Sequence, residues 1–135
     1  MKTTALMLSV ATSLAFVTTL VGAKGGSMQP KRNKEFRELI VKGERPEIAA
    51  CLAAAIEYAR HNPAFNAIRW DDDASDRAIM RESATNGRLT RYIRLTTQFR
   101  MRGSTVFAET WRSMEVSCEQ PEDGVVHVNV KAVAG

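Results

Sequence analysis

Six arginines crowd the stretch between positions 88 and 112, namely Arg88, Arg91, Arg94, Arg100, Arg102 and Arg112, with Glu109 the one acidic residue among them. A guanidinium is a rigid, permanently charged fork that matches the oxygens of a carboxylate or phosphate, so such a cluster suits an anionic partner. The same stretch alternates with period two from Arg88. Leu89, Ile93, Leu95, Thr97, Phe99 and Met101 take one face, and Arg88, Thr90, Tyr92, Arg94, Thr96, Gln98 and Arg100 take the other. A second alternating run near the C-terminus sets Val126, Val128, Val130 and Ala132 against His127, Asn129 and Lys131. The polar sides of the two runs define a candidate ligand face of Arg88, Tyr92, Arg94, Arg100, His127 and Lys131, with Trp111 at its side as a stacking surface. Against this stands an ordinary physical alternative: long strands carry Arg and Thr on their wet side for solubility and edge protection.

Other chemistries are poorly supplied. Asp71, Asp73, Ser75 and Glu82 match positions one, three, five and twelve of a calcium loop, but Asp76 occupies the place where the sharp turn needs glycine. A solvated acidic loop is the simpler expectation, and adjacent exposed carboxylates lack the burial that would split their pKa values for acid and base roles. With His61 and His127 as the two histidines and Cys51 and Cys118 as the two cysteines, a zinc site would be short of ligands. Serine-hydrolase, metalloprotease and phosphate-loop motifs do not occur. No catalytic residue, cofactor or metal is therefore expected.

These side chains need elements to hold them. Asn33 can cap a helix reaching about Lys42, with Phe36, Leu39 and Ile40 as its apolar stripe and Gly43 closing it. Pro46 suits the first turn of a second helix through His61, whose Ile48, Cys51, Leu52, Ala55, Ile56 and Ala59 share a face. Asn62-Pro63 stops it. Phe65 to Trp70 reads as a short strand, followed by a brief helix or loop from the acidic run to Glu82 and a turn at Asn86-Gly87. After the long strand from Arg88, Arg102-Gly103-Ser104 turns into a strand carrying Val106, Ala108, Met114, Val116 and Cys118 on one parity, with a bulge expected near residues 110–112. The fold class this implies is α+β: two N-terminal helices on one face of a three- to four-stranded antiparallel β-meander, joined by one helix-to-strand disulfide, Cys51–Cys118.

The compartment is read from the start of the chain. Lys2 opens a short basic region, the seventeen residues Ala5 to Val21 carry no charge, and Val21-Gly22-Ala23 offers small side chains for a signal peptidase. Five of those seventeen are Ser or Thr, and the run sits at the lower limit for crossing a bilayer, so cleavage is expected rather than a retained anchor. Residues 24–32 then read as a flexible leader and 33–135 as one α+β domain. A formal charge of +4, falling to +3 without Lys2, is too small to argue for nucleic acid. The expectation is a small periplasmic or secreted, non-enzymatic binding module that contacts an exported or envelope protein, or an anionic envelope ligand. Its alternatives are an inhibitor or immunity-type protein docking on an exported enzyme, and a small envelope hydrolase. Intact-mass and N-terminal analysis of the exported product should find a chain starting at Lys24 with two hydrogens fewer than the reduced form; a retained leader or two free thiols would contradict both readings.

Overall fold

Pro46 starts the central helix where a missing N–H costs nothing, and Asn62, extended before Pro63, ends it. Between them α2, Pro46–His61, is apolar on more than one side: Ile48 through Ala55 are all buried, not one stripe of them. A helix of that kind must be covered on several sides. In a computed structural model that describes residues 24–103 and 110–133, the cover is an antiparallel sheet curled about α2. The small alanines at 49, 50, 53, 54 and 55 let the strands approach closely.

Six strands occur among the described residues: β1 Lys24–Met28, β2 Phe65–Arg69, β3 Ile79–Thr85, β4 Arg88–Met101, β5 Trp111–Pro121 and β6 Val126–Ala132. Their order is β1-β6-β5-β4-β2, and β3 also pairs with β4. All pairings are antiparallel. The long β4 gives one edge to β5 and shares the other between β3, which takes Arg88 to Arg94, and β2, which takes Gln98 to Met101. Helix α1, Lys34–Val41, packs on α2; its N-cap Asn33 accepts a hydrogen bond from the Phe36 N–H at 3.0 Å. Arg60 of α2 pairs with Glu35 of α1, and that guanidinium holds the Glu35 carboxyl below the usual carboxylate range. No helix among the described residues is long and apolar enough to cross a membrane.

The core lies between α2 and the inner sheet face. Ile93, Leu95 and Phe99 of β4, Met114, Val116 and Cys118 of β5, and Val126, Val128 and Val130 of β6 are buried there. Phe65 meets Phe99 edge-on at 4.9 Å between ring centres. Cys51 and Cys118 form the disulfide, with Cα atoms 5.6 Å apart, joining α2 to β5.

Several expectations need correction. The sheet has six strands among the described residues, not three or four. Residues 24–32 are not a shapeless leader: β1 pairs with β6 from Lys24↔Val130 to Met28↔Val126, Met28 is buried, and Pro30–Arg32 form a 3-10 turn. The glycines of β1 disguise it, since its strand state comes from β6 rather than from its own propensity. The helices are not all N-terminal, because the acidic run forms α3, Asp72–Asp76, capped by the Asp71 side chain, which accepts from the Ala74 N–H at 2.8 Å. Glu82, expected to end that segment, lies in β3. No bulge interrupts β5, whose register with β4 runs unbroken from Trp111 to Pro121; the irregularity falls in β2, between Phe65 and Ala67. Leu89 has the predicted parity but lies exposed at the end of the hairpin. The expected signal peptide, residues 1–23, and the run containing Val106 and Ala108 fall outside the described residues.

The disulfide closes a separation of 67 residues, for which the chain-entropy estimate is about 4 kcal/mol. The Cys51→Ala/Cys118→Ala variant should unfold more than about 10 °C below the oxidised chain in a calorimetric or circular-dichroism melt. Equal melting temperatures would show that the helix is held by packing alone.

Candidate functional site

Every side chain singled out on the alternating runs lands on one surface. The register places Arg88, Tyr92, Arg94 and Arg100 of β4, Trp111 of β5, and His127 and Lys131 of β6 on the sheet face opposite α2. Period two in each strand, with the apolar parity buried under the helix, leaves no other place for them. The elements the sequence concealed add more: Arg69 of β2 and Ile79 and Arg81 of β3 share this outer face.

The face is not uniformly basic. Glu115 of β5 sits between Arg94, at 3.6 Å, and Lys131, at 3.2 Å, and takes up much of their charge. Glu119 stands directly between Tyr92 and His127 in the register. The acidic positions of β5 therefore divide the face in two. At one end Arg100 lies opposite Trp111, the Arg69 guanidinium stacks on the Trp111 ring 3.9 Å from its centre, and Arg69 donates to Gln98 Oε1 at 2.7 Å. Arg100 is half-buried there rather than fully exposed. Trp111 is thereby occupied by a residue of its own chain.

At the other end a hollow of about 450 Å³ opens between Ile79 and Arg81 on one side, Tyr92 and Arg94 along its floor, and Ser117, Glu119 and Asn129 beyond. Arg81 has no ion-pair partner among the described residues, whereas Arg91, one row away, faces the inner side and is held by Glu47 at 3.4 Å and Glu82 at 3.0 Å. Arg88 likewise has no ion-pair partner among the described residues but lies at the hairpin end outside the hollow's lining. One row of cross-strand neighbours crosses five strands here: Arg81, Tyr92, Glu119, His127 and Ser27. Neighbouring strands stand about 4.8 Å apart, so a ligand of a few carbon atoms could reach two or three of these side chains at once.

The other candidates do not assemble a site. Asp71 caps α3, the Ser75 hydroxyl donates to Glu44 Oε2 at 3.2 Å, and Glu82 accepts from Arg91, so the four residues of the calcium pattern are spent on separate structural tasks. Among the described residues no three His, Cys, Asp or Glu side chains gather to hold a metal. A second hollow of about 350 Å³ lies between β1 and the end of α2, where His61 shares a 2.8 Å hydrogen bond with Glu57 and Asn62 donates to the Tyr58 hydroxyl. Burial raises the Tyr58 phenol above its ordinary value, away from any role as a base at neutral pH. Arg81 and Ile79 were missed in the sequence because β3 exposes all seven of its residues and so shows no apolar alternation. The usable signal was the Asn86-Gly87 pair: both residues have positive φ, and a two-residue turn of this kind demands a partner strand on each side.

Comparison of the chain with protein-family models, with curated proteins and with solved structures finds no match. The functional reading rests on the geometry.

Because Glu115 holds both Arg94 and Lys131, Glu115→Gln should release two cations to the outer face. The variant is expected to elute from a heparin column at distinctly higher salt than the parent, with stability changed by less than about 1 kcal/mol because the pairs are exposed. Unchanged elution would mean that the face does not meet the polyanion.

Proposed function

We propose that this chain is a small exported binding module, periplasmic or secreted, that holds an anionic group of its partner in the hollow of the outer sheet face. The observation that carries this is the placement of Arg81, Tyr92 and Arg94 around one opening, with Arg81 paired to no carboxylate among the described residues. Two guanidinium groups flanking a phenol offer a bidentate grip on a carboxylate or phosphate and an aromatic edge for its apolar part. The disulfide supports export, since such a bond persists in oxidising compartments, and a sheet stiffened by it loses less entropy when it binds.

The binding residues differ from the simple basic stripe. Arg81 grips the ligand, Arg94 adds a second guanidinium whose charge is partly taken up by Glu115 at 3.6 Å, Tyr92 packs on the ligand, and Asn129 lends a polar contact from the far wall. Arg88, Arg100, Trp111, His127 and Lys131 lie outside the lining of the hollow, His127 two residues from Asn129 on β6. A hydrolase reading has one observation in its favour, the alignment of Ser27, His127 and Glu119 on adjacent strands, but no hydrogen bond joins the three side chains. Without that engagement the serine has no activating base, and the binding reading is the stronger.

Titration of the oxidised chain with inorganic pyrophosphate, followed by nuclear magnetic resonance, should shift signals of Arg81, Tyr92 and Arg94. Arg81→Glu/Arg94→Glu should weaken binding at least tenfold and Arg100→Glu by less than twofold, with all binding fading as salt rises. Equal losses from both variants would mean that net charge, not the hollow, attracts the anion.

A further inference from the structure

The hollow opens at the margin of the sheet, and that margin is β3. On one side β3 pairs with β4 in unbroken register from Ile79↔Arg94 to Thr85↔Arg88; on the other side no strand of the described chain covers it. A bare strand edge presents a row of backbone N–H and C=O groups that another extended chain can complete, and proteins blunt such edges with bulges, prolines, short length or inward charges. The three edges here differ in this respect. β2 has five residues with a register break between Phe65 and Ala67, and β1 has five residues that include Gly25 and Gly26. β3 has seven residues, no proline and no break.

Its side chains are arranged for company. Ile79 is 56% exposed and Met80 40%, one on each face, and Tyr92 and Leu89 are exposed on the strand beside them. On the outer face Arg81 lies next to Tyr92 and one row from Arg94, and the single acid of β3, Glu82, faces the inner side and is held by Arg91. The outer flank of the edge is thus positive, with no compensating carboxylate at Arg81 among the described residues.

We infer that the partner of the hollow is an extended acidic peptide segment that adds to β3 as a further antiparallel strand, setting a carboxylate against Arg81 and apolar side chains against Met80 and Ala84. This rests on the reading of the outer face as an anion-binding surface and names the class of partner. Backbone pairing supplies affinity that does not depend on sequence, and the flanking positive charge selects acidic strands over basic ones. A second copy of the chain fits less well. Pairing two β3 strands antiparallel over all seven residues sets Glu82 opposite Glu82 and brings the two Arg81 side chains to diagonal positions, both like-charge contacts.

The test uses the mature, oxidised chain and a fluorescent seven-residue peptide, acetylated and amidated, that alternates Glu and Val from a Glu at each end, so that Glu falls opposite Arg81 and Val opposite Met80 and Ala84, with a Val/Lys peptide of the same pattern for comparison. The Val/Glu peptide should bind, slow hydrogen exchange at alternate β3 amides, and lose at least tenfold in affinity with Arg81→Glu, while Arg100→Glu leaves it within twofold; the Val/Lys peptide should not bind. Protection at β1 instead of β3, equal binding of both peptides, or dimerisation of the free chain through β3 in sedimentation would each overturn the inference. Pyrophosphate separates the two levels of reading: if it shifts Arg81 and Arg94 while the Val/Glu peptide leaves β3 unprotected, the strand-addition inference fails and the anion site stands. If neither ligand binds, both fail.

Discussion

A helix that is apolar on several sides cannot rest on a surface, and α2 imposes that condition on the whole molecule. Eight consecutive residues, Ile48 to Ala55, are buried, so cover is required well beyond the single stripe that an ordinary surface helix needs. The sheet answers by curling, with β1, β2, β4, β5 and β6 all touching α2, and α1 closes part of the remainder. The disulfide fastens the middle of this arrangement, because Cys51 stands in the buried stretch and β5 in the interior of the sheet order. Short side chains make the arrangement possible: five alanines in the buried run keep the helix slim enough for strands on several sides to reach it.

What could be read from the sequence follows the strength of each local signal. The bounds of α2 are marked by Pro46 and Asn62-Pro63, which act on the backbone directly, and the predicted span is the one observed. The parity of β4 and β6 was legible because one face is buried and the other wet, so Phe99 and Val128 alternate with Arg100 and His127. β1 and β3 were illegible for opposite reasons. β1 has too little side chain, with Gly25 and Gly26 in its middle, and becomes a strand because β6 offers it an edge. β3 has side chains of every kind, Ile79, Met80, Arg81, Glu82, all exposed, and its strand state depends on cross-strand partners such as Arg91 that no local window contains. The candidate site was legible to the same extent: its β4 residues were found, its β3 residues were not.

The two halves of β4 have different duties. From Ile93 to Phe99 its inner side chains fill the core, while nearer the turn Leu89 is exposed and Arg91 replaces a hydrophobe at the core parity. Arg91 can stand there because Glu47 from α2 and Glu82 from β3 both reach it, which exchanges apolar burial for charge pairing at the rim. The arm formed by β3 and this half of β4 therefore owes its position to pairing with the sheet rather than to burial under a helix. Regions held in this way open and adapt more readily than core strands, and binding surfaces are commonly drawn from them.

Charge on the outer face is distributed in a way that composition alone hides. The excess of arginine over acid between positions 88 and 112 suggests an even basic strip, yet the strand that lies against β4 brings Glu115 and Glu119 into the same plane. Glu115 quiets Arg94 and Lys131 at the centre, and Arg69 stacks over Trp111 at one end, so both features that looked most available have partners within the chain. Arg81 is different because its strand is at the margin, with no further strand among the described residues to supply a carboxylate. The same absence of a neighbouring strand leaves the backbone edge of β3 open and the Arg81 charge unmatched. A single added acidic strand would satisfy both, which is why charge and hydrogen-bonding capacity coincide at this one margin of the sheet.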